Sequence, residues 1–267
     1  MSIYDRYINH IKTFILDDPD KWTFKSNPEY TYISNQEYTY MLEYVNVNYG
    51  IQYLNLIKTK YTDIYNNNKD YLISLCNTND TYGNPPQYNF NDFTKCSPTN
   101  LRYILHSLLI LEYMKDNSLD NIDCIEIGGG YGGECFFIMK LAKLYNINIS
   151  SYTIFDILEA SQLQQKYLNK LELNVNCYQL DNFDNLKNNS FLISNYAFSE
   201  IPLDIQNEYT TQVINPFVSY GYLCWNNIQV YNFIENSIIE KELEYPKTGK
   251  YNYYVTVKPS RENIIIM

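Results

Sequence analysis

The chain has 267 residues, with 20 Lys and Arg against 30 Asp and Glu, a formal charge of −10 and 45% hydrophobic residues. That length and apolar content allow one large domain, or a domain with an appendage, and exclude wholesale disorder. The acidic balance argues against nucleic acid or an anionic membrane as partner, since both are met with clustered Lys and Arg, and no stretch reaches the roughly 20 apolar residues of a membrane span.

The opening Met1-Ser-Ile-Tyr-Asp-Arg6 has no basic region followed by an apolar segment, so no secretory signal is expected. Residues 4–16 and 38–65 carry apolar side chains at three- and four-residue spacing and predict helices. Tyr30, Tyr32, Tyr38, Tyr40 and Tyr44 invite a sugar-stacking reading. With 30 Tyr in an Asn- and Ile-rich chain, they read first as amphipathic core and surface in a composition set by an AT-rich genome, bacterial, protist or viral. Residues 78–98 form a polar loop rich in Asn, Gly and Pro. Ser97-Pro98 then opens a helix, with Ser97 as N-cap acceptor and Pro98 at the first helical position. Leu101, Ile104, Leu105, Leu108 and Leu111 give it an apolar stripe, and it should end near 115–118. From there the pattern alternates. Strands are predicted at 123–127, 151–155, 175–180, 191–195 and 221–226, and helices at 133–145, 159–171 and 203–214, the last stopped by Pro216. The final stretch, including 253–258, reads as β-structure. Alternation of this kind implies a mostly parallel sheet with helices on both faces. Two regions follow: a helical cap and substrate region over 1–96, and a ligand-binding domain over 97–267. Cys76, Cys96, Cys124, Cys135, Cys177 and Cys224 are far apart and form no CxxC, as expected of buried, reduced thiols. The expected location is the cytoplasm, that of the host if the source is viral.

The strongest local signal is Cys124-Ile-Glu-Ile-Gly128-Gly-Gly130-Tyr-Gly132-Gly133, a strand running through glycines into a helix. Glycine there lets the backbone turn sharply and approach a ligand. Two templates fit. Gly128-x-Gly130-x-x-Gly133 satisfies the dinucleotide fingerprint. Glu126-x-Gly128-x-Gly130-x-Gly132 satisfies the first motif of S-adenosylmethionine (SAM) methyltransferases, whose cationic ligand favours an acid such as Glu126 at the strand end. The second strand ends at Asp156, placed to accept from ribose hydroxyls with either ligand. The third ends at Asp181-Asn182, placed to meet an adenine amino group.

With these strand ends, the chain resembles the sugar O-methyltransferase family of class I SAM-dependent enzymes. The resemblance rests on ordered segments: Tyr82-Gly-Asn-Pro85, Ser97-Pro-Thr-Asn-Leu-Arg-Tyr103, Ile125 to Gly133, Phe155-Asp-Ile-Leu-Glu159, Ser194-Asn-Tyr-Ala-Phe-Ser-Glu200 and Gly221-Tyr-Leu-Cys-Trp-Asn226. It covers roughly residues 80–230 and reaches neither end of the chain. It implies an α/β, Rossmann-like class I methyltransferase fold, with a mostly parallel seven-stranded sheet under an N-terminal helical cap. It also implies SAM as cofactor and a sugar, nucleotide-sugar or glycan hydroxyl as acceptor. Carried over, Glu126, Gly128, Gly129, Gly130 and Tyr131 would line the methionine part of SAM. Asp156 would hold the ribose, and Asp181 with Asn182 the adenine. Asn195 and Tyr196 would sit beside the methyl group.

A sugar hydroxyl is a poor nucleophile at neutral pH, so a general base within hydrogen-bond reach is useful. His10 lies near the chain end and carries little weight. His106 lies one turn after Arg102 on the same helix face; the pair reads as a base beside a grip for the SAM carboxylate or an anionic sugar carrier, or as a half-buried core histidine beside a surface arginine. Glu200, after the fourth strand, competes as base; its bland reading is an acid at a helix N-terminus. Glu200 with a nearby Asp could hold Mg²⁺, but no metal spacing supports this and no metal is expected. Three rivals remain. Asn84-Pro-Pro-Gln87 resembles the signature of nucleobase amino-methylating enzymes, but Gln87 stands where a base-stacking aromatic belongs. An NAD(P)-dependent oxidoreductase would want a catalytic acid or base in the C-terminal half, which has no His. A catalytically silent, methyltransferase-like binding protein is the third. A homo-oligomer is compatible with everything above.

Overall fold

The computed structural model describes residues 3–22 and 45–260. The side chain of His10 and Tyr30, Tyr32, Tyr38, Tyr40 and Tyr44 lie outside the described residues, as do 38–44 of the helix expected at 38–65. Helix α1 spans Ile3–Ile15, α2 Val47–Lys60, α3 Thr62–Asp80 and α4 Pro98–Asp116. Helix α2 starts where the Asn46 side chain accepts from the Tyr49 N–H at 3.0 Å, and it buries Gly50, Tyr53, Leu54 and Ile57 on one face, the three- and four-residue stripe of an amphipathic helix. A two-residue hairpin, Tyr88–Asn89 against Lys95–Cys96, ties down the loop before α4.

The sheet is built from β1 Ile122–Ile127, β2 Ile149–Phe155, β3 Asn176–Tyr178, β4 Ser190–Asn195, β5 Val218–Trp225, β6 Ser237–Leu243 and β7 Tyr253–Pro259. Its order is β3-β2-β1-β4-β5-β7-β6. The first five strands run parallel, and β7 is inserted antiparallel between β5 and β6. This is a Rossmann-like, mostly parallel seven-stranded sheet, as the family resemblance implies. Helix α5 Gly133–Leu141 follows β1, and α6 Leu158–Lys170 follows β2. Strand order reverses between β1 and β4, so a crevice opens beyond their carboxyl ends.

Both sheet faces are covered, which is why the central strands read as nearly unbroken apolar runs. On one face Cys124, Tyr152, Ile154, Phe191 and Ile193 pack under α4 and α5. Tyr53, Ile57 and Leu72, from the region before residue 96, belong to that same cluster, so the hydrophobic core is continuous across the 96/97 boundary. On the other face Ile125, Ile127, Leu192 and Leu223 pack with Tyr209, Val213, Phe198 and Trp225, whose ring stacks on Phe233 at 5.4 Å between centroids.

Three local expectations are corrected. Helix α3 runs on to Asp80, past the loop start expected at Thr78, passing a non-helical Asn68. Ser97 occupies the N-cap of α4, but its side chain accepts no cap bond; its Oγ donates to Asp80 Oδ1 at 2.6 Å and its N–H to Oδ2 at 2.7 Å. Pro216 does not stop the preceding helix. Helix α7 Leu203–Tyr209 continues through a π-turn at Thr210–Ile214 into Asn215–Phe217, where Pro216 sits at the start of the last short turn and its missing N–H is tolerated.

Candidate active site

The loop after β1 is held by its own backbone. Gly128 N–H donates to Phe155 O at 2.9 Å, and Gly132 N–H to Gly129 O at 2.8 Å. Gly128, Gly130 and Gly132 have φ of 74°, 56° and 97°, the left-handed region in which a Cβ is strained. A Cβ on Gly128 would also fall inside the Ala197 methyl, so the turn Ala197–Glu200 after β4 closes against the loop. Gly128 and Gly130 remain half-buried and reach the surface of the crevice.

Glu126 and Tyr131 lie beneath that surface. Glu126 is 1% exposed and accepts from the Tyr152 hydroxyl at 2.9 Å. Tyr131 turns its hydroxyl into the cap, where it shares hydrogen bonds of 2.9 and 3.1 Å with the Asn79 amide of α3. Asn79 also meets Asn100 at 2.5 Å and Tyr167 at 2.6 Å, so one cap side chain ties the loop to α4 and α6. These two residues support the loop from behind; the backbone of Gly128 and Gly130 is what faces outward.

On the β2 side, Asp156 Oδ1 accepts from the Ile157 N–H at 2.8 Å and Oδ2 from Gln164 Nε2 at 2.8 Å. Burial pushes its carboxyl up to about 6, against the pull of Ile157, Gln164 and the Gly129 N–H. Farther along, Asp181 and Asn182 line a cavity of about 290 Å³ with Leu158, Ser161 and Gln165. Asp156, Asp181 and Asn182 thus share the carboxyl edge of β2 and β3.

On the β4 side, Asn195 is the last residue of the strand and Tyr196 follows it. Both amide atoms of Asn195 are buried without a hydrogen-bond partner. Tyr196 has φ 68°, rare for a bulky residue; its N–H donates to Cys224 O at 2.8 Å and its hydroxyl donates to the buried Glu244 carboxylate. The Arg102 guanidinium lies 5.9 Å from the ring centres of both Tyr103 and Tyr196. His106 is 1% exposed, enclosed by Tyr53, Tyr196 and Tyr254 at 6.1, 6.3 and 6.0 Å between ring centres. The Cys224 sulfur stands 3.8 and 3.9 Å from its two ring nitrogens, within reach of a weak sulfur hydrogen bond whose direction depends on the tautomer. Burial, then the Arg102 charge, push His106 down to about 3, so it is neutral at physiological pH. Glu200 lies apart from this cage. It is exposed at the rim and accepts from the Asn226 amide, and the surrounding protein raises its carboxyl above the usual range. Among the described residues, no group of three or more His, Cys, Asp or Glu is placed to hold a metal ion.

Sequence reasoning missed Gln164, Asn79 and Glu244. Gln164 alone had a readable signal: it lies one helical turn before Leu168 and one after Ala160, on the buried stripe of α6. Asn79 and Glu244 act across long sequence separations that no local pattern marks.

No protein-family model matches the chain, and no curated protein matches its sequence. Among solved structures, the plantazolicin methyltransferase BpumL in complex with SAH is 13% identical over 60% of this chain and 84% of that one, with a TM-score of 0.43. A SAM-dependent methyltransferase from Aquifex aeolicus is 15% identical over 55% of this chain and 88% of that one, with a TM-score of 0.39. The mitomycin 7-O-methyltransferase MmcR is 10% identical over 61% and 57%, with a TM-score of 0.39. Among the described residues, no helix is long and apolar enough to cross a membrane.

Proposed function

We propose that the chain is a SAM-dependent O-methyltransferase whose acceptor is a sugar hydroxyl, free, on a nucleotide-sugar or on a glycan. The observation that carries the SAM reading is the junction at the carboxyl ends of β1 and β2, where one buried amide joins the glycine loop to Asp156. A dinucleotide would set its pyrophosphate on the helix N-terminus. Here the first turn of α5 carries buried Glu134, and buried Glu126 lies beneath the loop. That charge suits a ligand with a sulfonium and an ammonium and opposes a diphosphate. The antiparallel β7 also departs from the all-parallel dinucleotide sheet.

The donor set fits SAM. Carboxylate oxygens have about four acceptor positions, so Asp156 keeps capacity for ribose hydroxyls. Asp181 and Asn182 offer an acceptor and an amide to adenine, and Arg102 a cation to a carboxylate. When bound, SAM supplies a methyl carbon already activated on sulfur. The remaining task of the chain is to position the acceptor oxygen and take its proton. Glu200 is the better matched proton acceptor of the two candidates, since its side chain reaches solvent at the rim whereas His106 is enclosed and held to about 3. His106, held to about 3, is a weak base and serves as a neutral hydrogen-bonding wall. The sugar part rests on the ordered resemblance over residues 80–230 and on the tyrosine rings around Arg102.

The test has two stages. Calorimetry should give a saturable heat with SAM and none with NAD; the reverse would replace the reading with an oxidoreductase. Incubation with labelled SAM and a panel of activated deoxy- and aminosugars should give a mass gain of one methyl group, and SAM binding without any sugar product would remove the sugar assignment.

A further inference from the structure

Helix α6 carries three glutamines in the run Gln162-Leu163-Gln164-Gln165. Gln162 is exposed and Gln165 half-buried, but Gln164 is 0% exposed and turned to the sheet. Its Nε2 donates to Gly130 O at 2.9 Å and to Asp156 Oδ2 at 2.8 Å. Both partners are acceptors, so the amide orientation is fixed, with nitrogen toward them and carbonyl away. That carbonyl, Oε1, is buried with no hydrogen-bond partner. A side chain at Gly129 would meet Ile154 and Gln164, so the loop backbone rests directly on this amide. The unpaired carbonyl carries a desolvation cost that an apolar side chain would not. The double contact of the amide nitrogen, to a carboxylate and to a loop carbonyl, is what a glutamine supplies here.

We propose that Gln164 is a positioning residue that clamps the Asp156 carboxylate to the Gly130 carbonyl, so that the ligand-facing loop and the ribose-holding acid move as one body. The ligand half of this inference rests on the SAM reading; the clamp itself does not. Without it, Asp156 loses a donor that stabilises its charged form, and Gly130 loses the contact that orients its peptide. The titratable group facing Asp156 from β3 is Cys177, a thiol that burial holds up at about 12 and that stays neutral throughout. The N–H groups of Ile157, on α6's leading end, and of Gly129, on the loop, are its other neighbours. No titrating charge therefore masks the effect.

The experiment uses the full chain with Gln164→Leu, and Gln164→Met as a second variant should the first not fold. Carboxyl NMR, with the Asp156 signal assigned through Asp156→Asn, gives the titration midpoint without any ligand. Calorimetry at pH 7.5 gives the SAM dissociation constant. The expected result is a midpoint raised by about one unit and SAM binding weakened about tenfold, with a melting temperature lowered at pH 7.5, where a raised carboxyl midpoint costs the folded state stability. An unchanged midpoint with wild-type SAM affinity would overturn the clamp and leave the methyltransferase reading intact. A raised midpoint in a protein whose wild type binds no SAM would remove that reading and support the clamp. A raised midpoint with unchanged SAM affinity would overturn the positioning role.

Discussion

The two flanks of the glycine loop are finished to different degrees. On the β2 flank, the Asp156 carboxylate already accepts from Ile157 and Gln164, and Gln164 passes the connection on to Gly130. On the β4 flank, the Asn195 amide is buried with no partner, and Tyr196 is held at φ 68°. The Asp156 carboxylate is held by its donors before a ligand arrives, with Gln164 Oε1 unpaired behind it, whereas the unmet Asn195 amide and the strained Tyr196 backbone are what a ligand can relieve. On the proposed reading, the invariant part of the ligand belongs to the β2 flank and the variable acceptor to the β4 flank.

The largest way to break this comparison strikes both flanks at once. Gly128→Val puts a β-branched residue at φ 74° and its Cβ inside Ala197. It should abolish SAM binding in calorimetry and lower unfolding free energy by about 3 kcal/mol or more. Next, Asn79→Leu removes the support behind the loop and leaves the Tyr131 and Tyr167 hydroxyls without their amide. Urea unfolding should show a loss of about 2–3 kcal/mol, with SAM affinity reduced and the acceptor flank intact.

His106→Leu sharpens the β4 side. The folded histidine titrates at about 3 against 6.5 when unfolded, so protons bind the unfolded chain first as pH falls. Wild-type stability is unaffected above pH 6.5 and should decline by up to about 1.4 kcal/mol per unit below it, down toward pH 3. The leucine variant should lack this component of the decline in pH-dependent unfolding, with SAM affinity unchanged; a wild-type-like acid profile would place the histidine in a wetter setting than its rings allow. The smallest effect is a control far from both flanks. Lys258 pairs with Glu240 at 2.9 Å between exposed side chains of β7 and β6. Lys258→Ala should change stability by no more than about 0.5 kcal/mol and leave binding untouched.

Much of this was readable before any coordinates. Strands β1, β2 and β4 announce themselves because both their faces are buried, so apolar residues run without interruption. The glycine spacing marks the loop because left-handed backbone at 128, 130 and 132 admits little else. The reading failed where partners are remote or composition hides the period. Asn66-Asn67-Asn68 masked the continuation of α3, although Leu72, Leu75, Cys76 and Asn79 beyond it keep helical spacing on a buried face. Ser97 looked like a cap acceptor because its competitor, Asp80, stands 17 residues earlier and engages both its N–H and its hydroxyl. The motif does not say which way Tyr131 points, since a phenol beside a glycine loop can turn to either side; its hydroxyl meets Asn79, a partner 52 residues away.

The unbroken core across residues 96 and 97 bears on engineering. The cap cannot be exchanged as a module. A graft from another protein onto this sheet would have to reproduce Tyr53, Ile57 and Leu72 against α4, and also an amide at position 79 aimed at the hydroxyls of Tyr131 and Tyr167. On the proposed reading, a change of acceptor is therefore better attempted by point changes around Arg102 and Tyr196 than by chimeras.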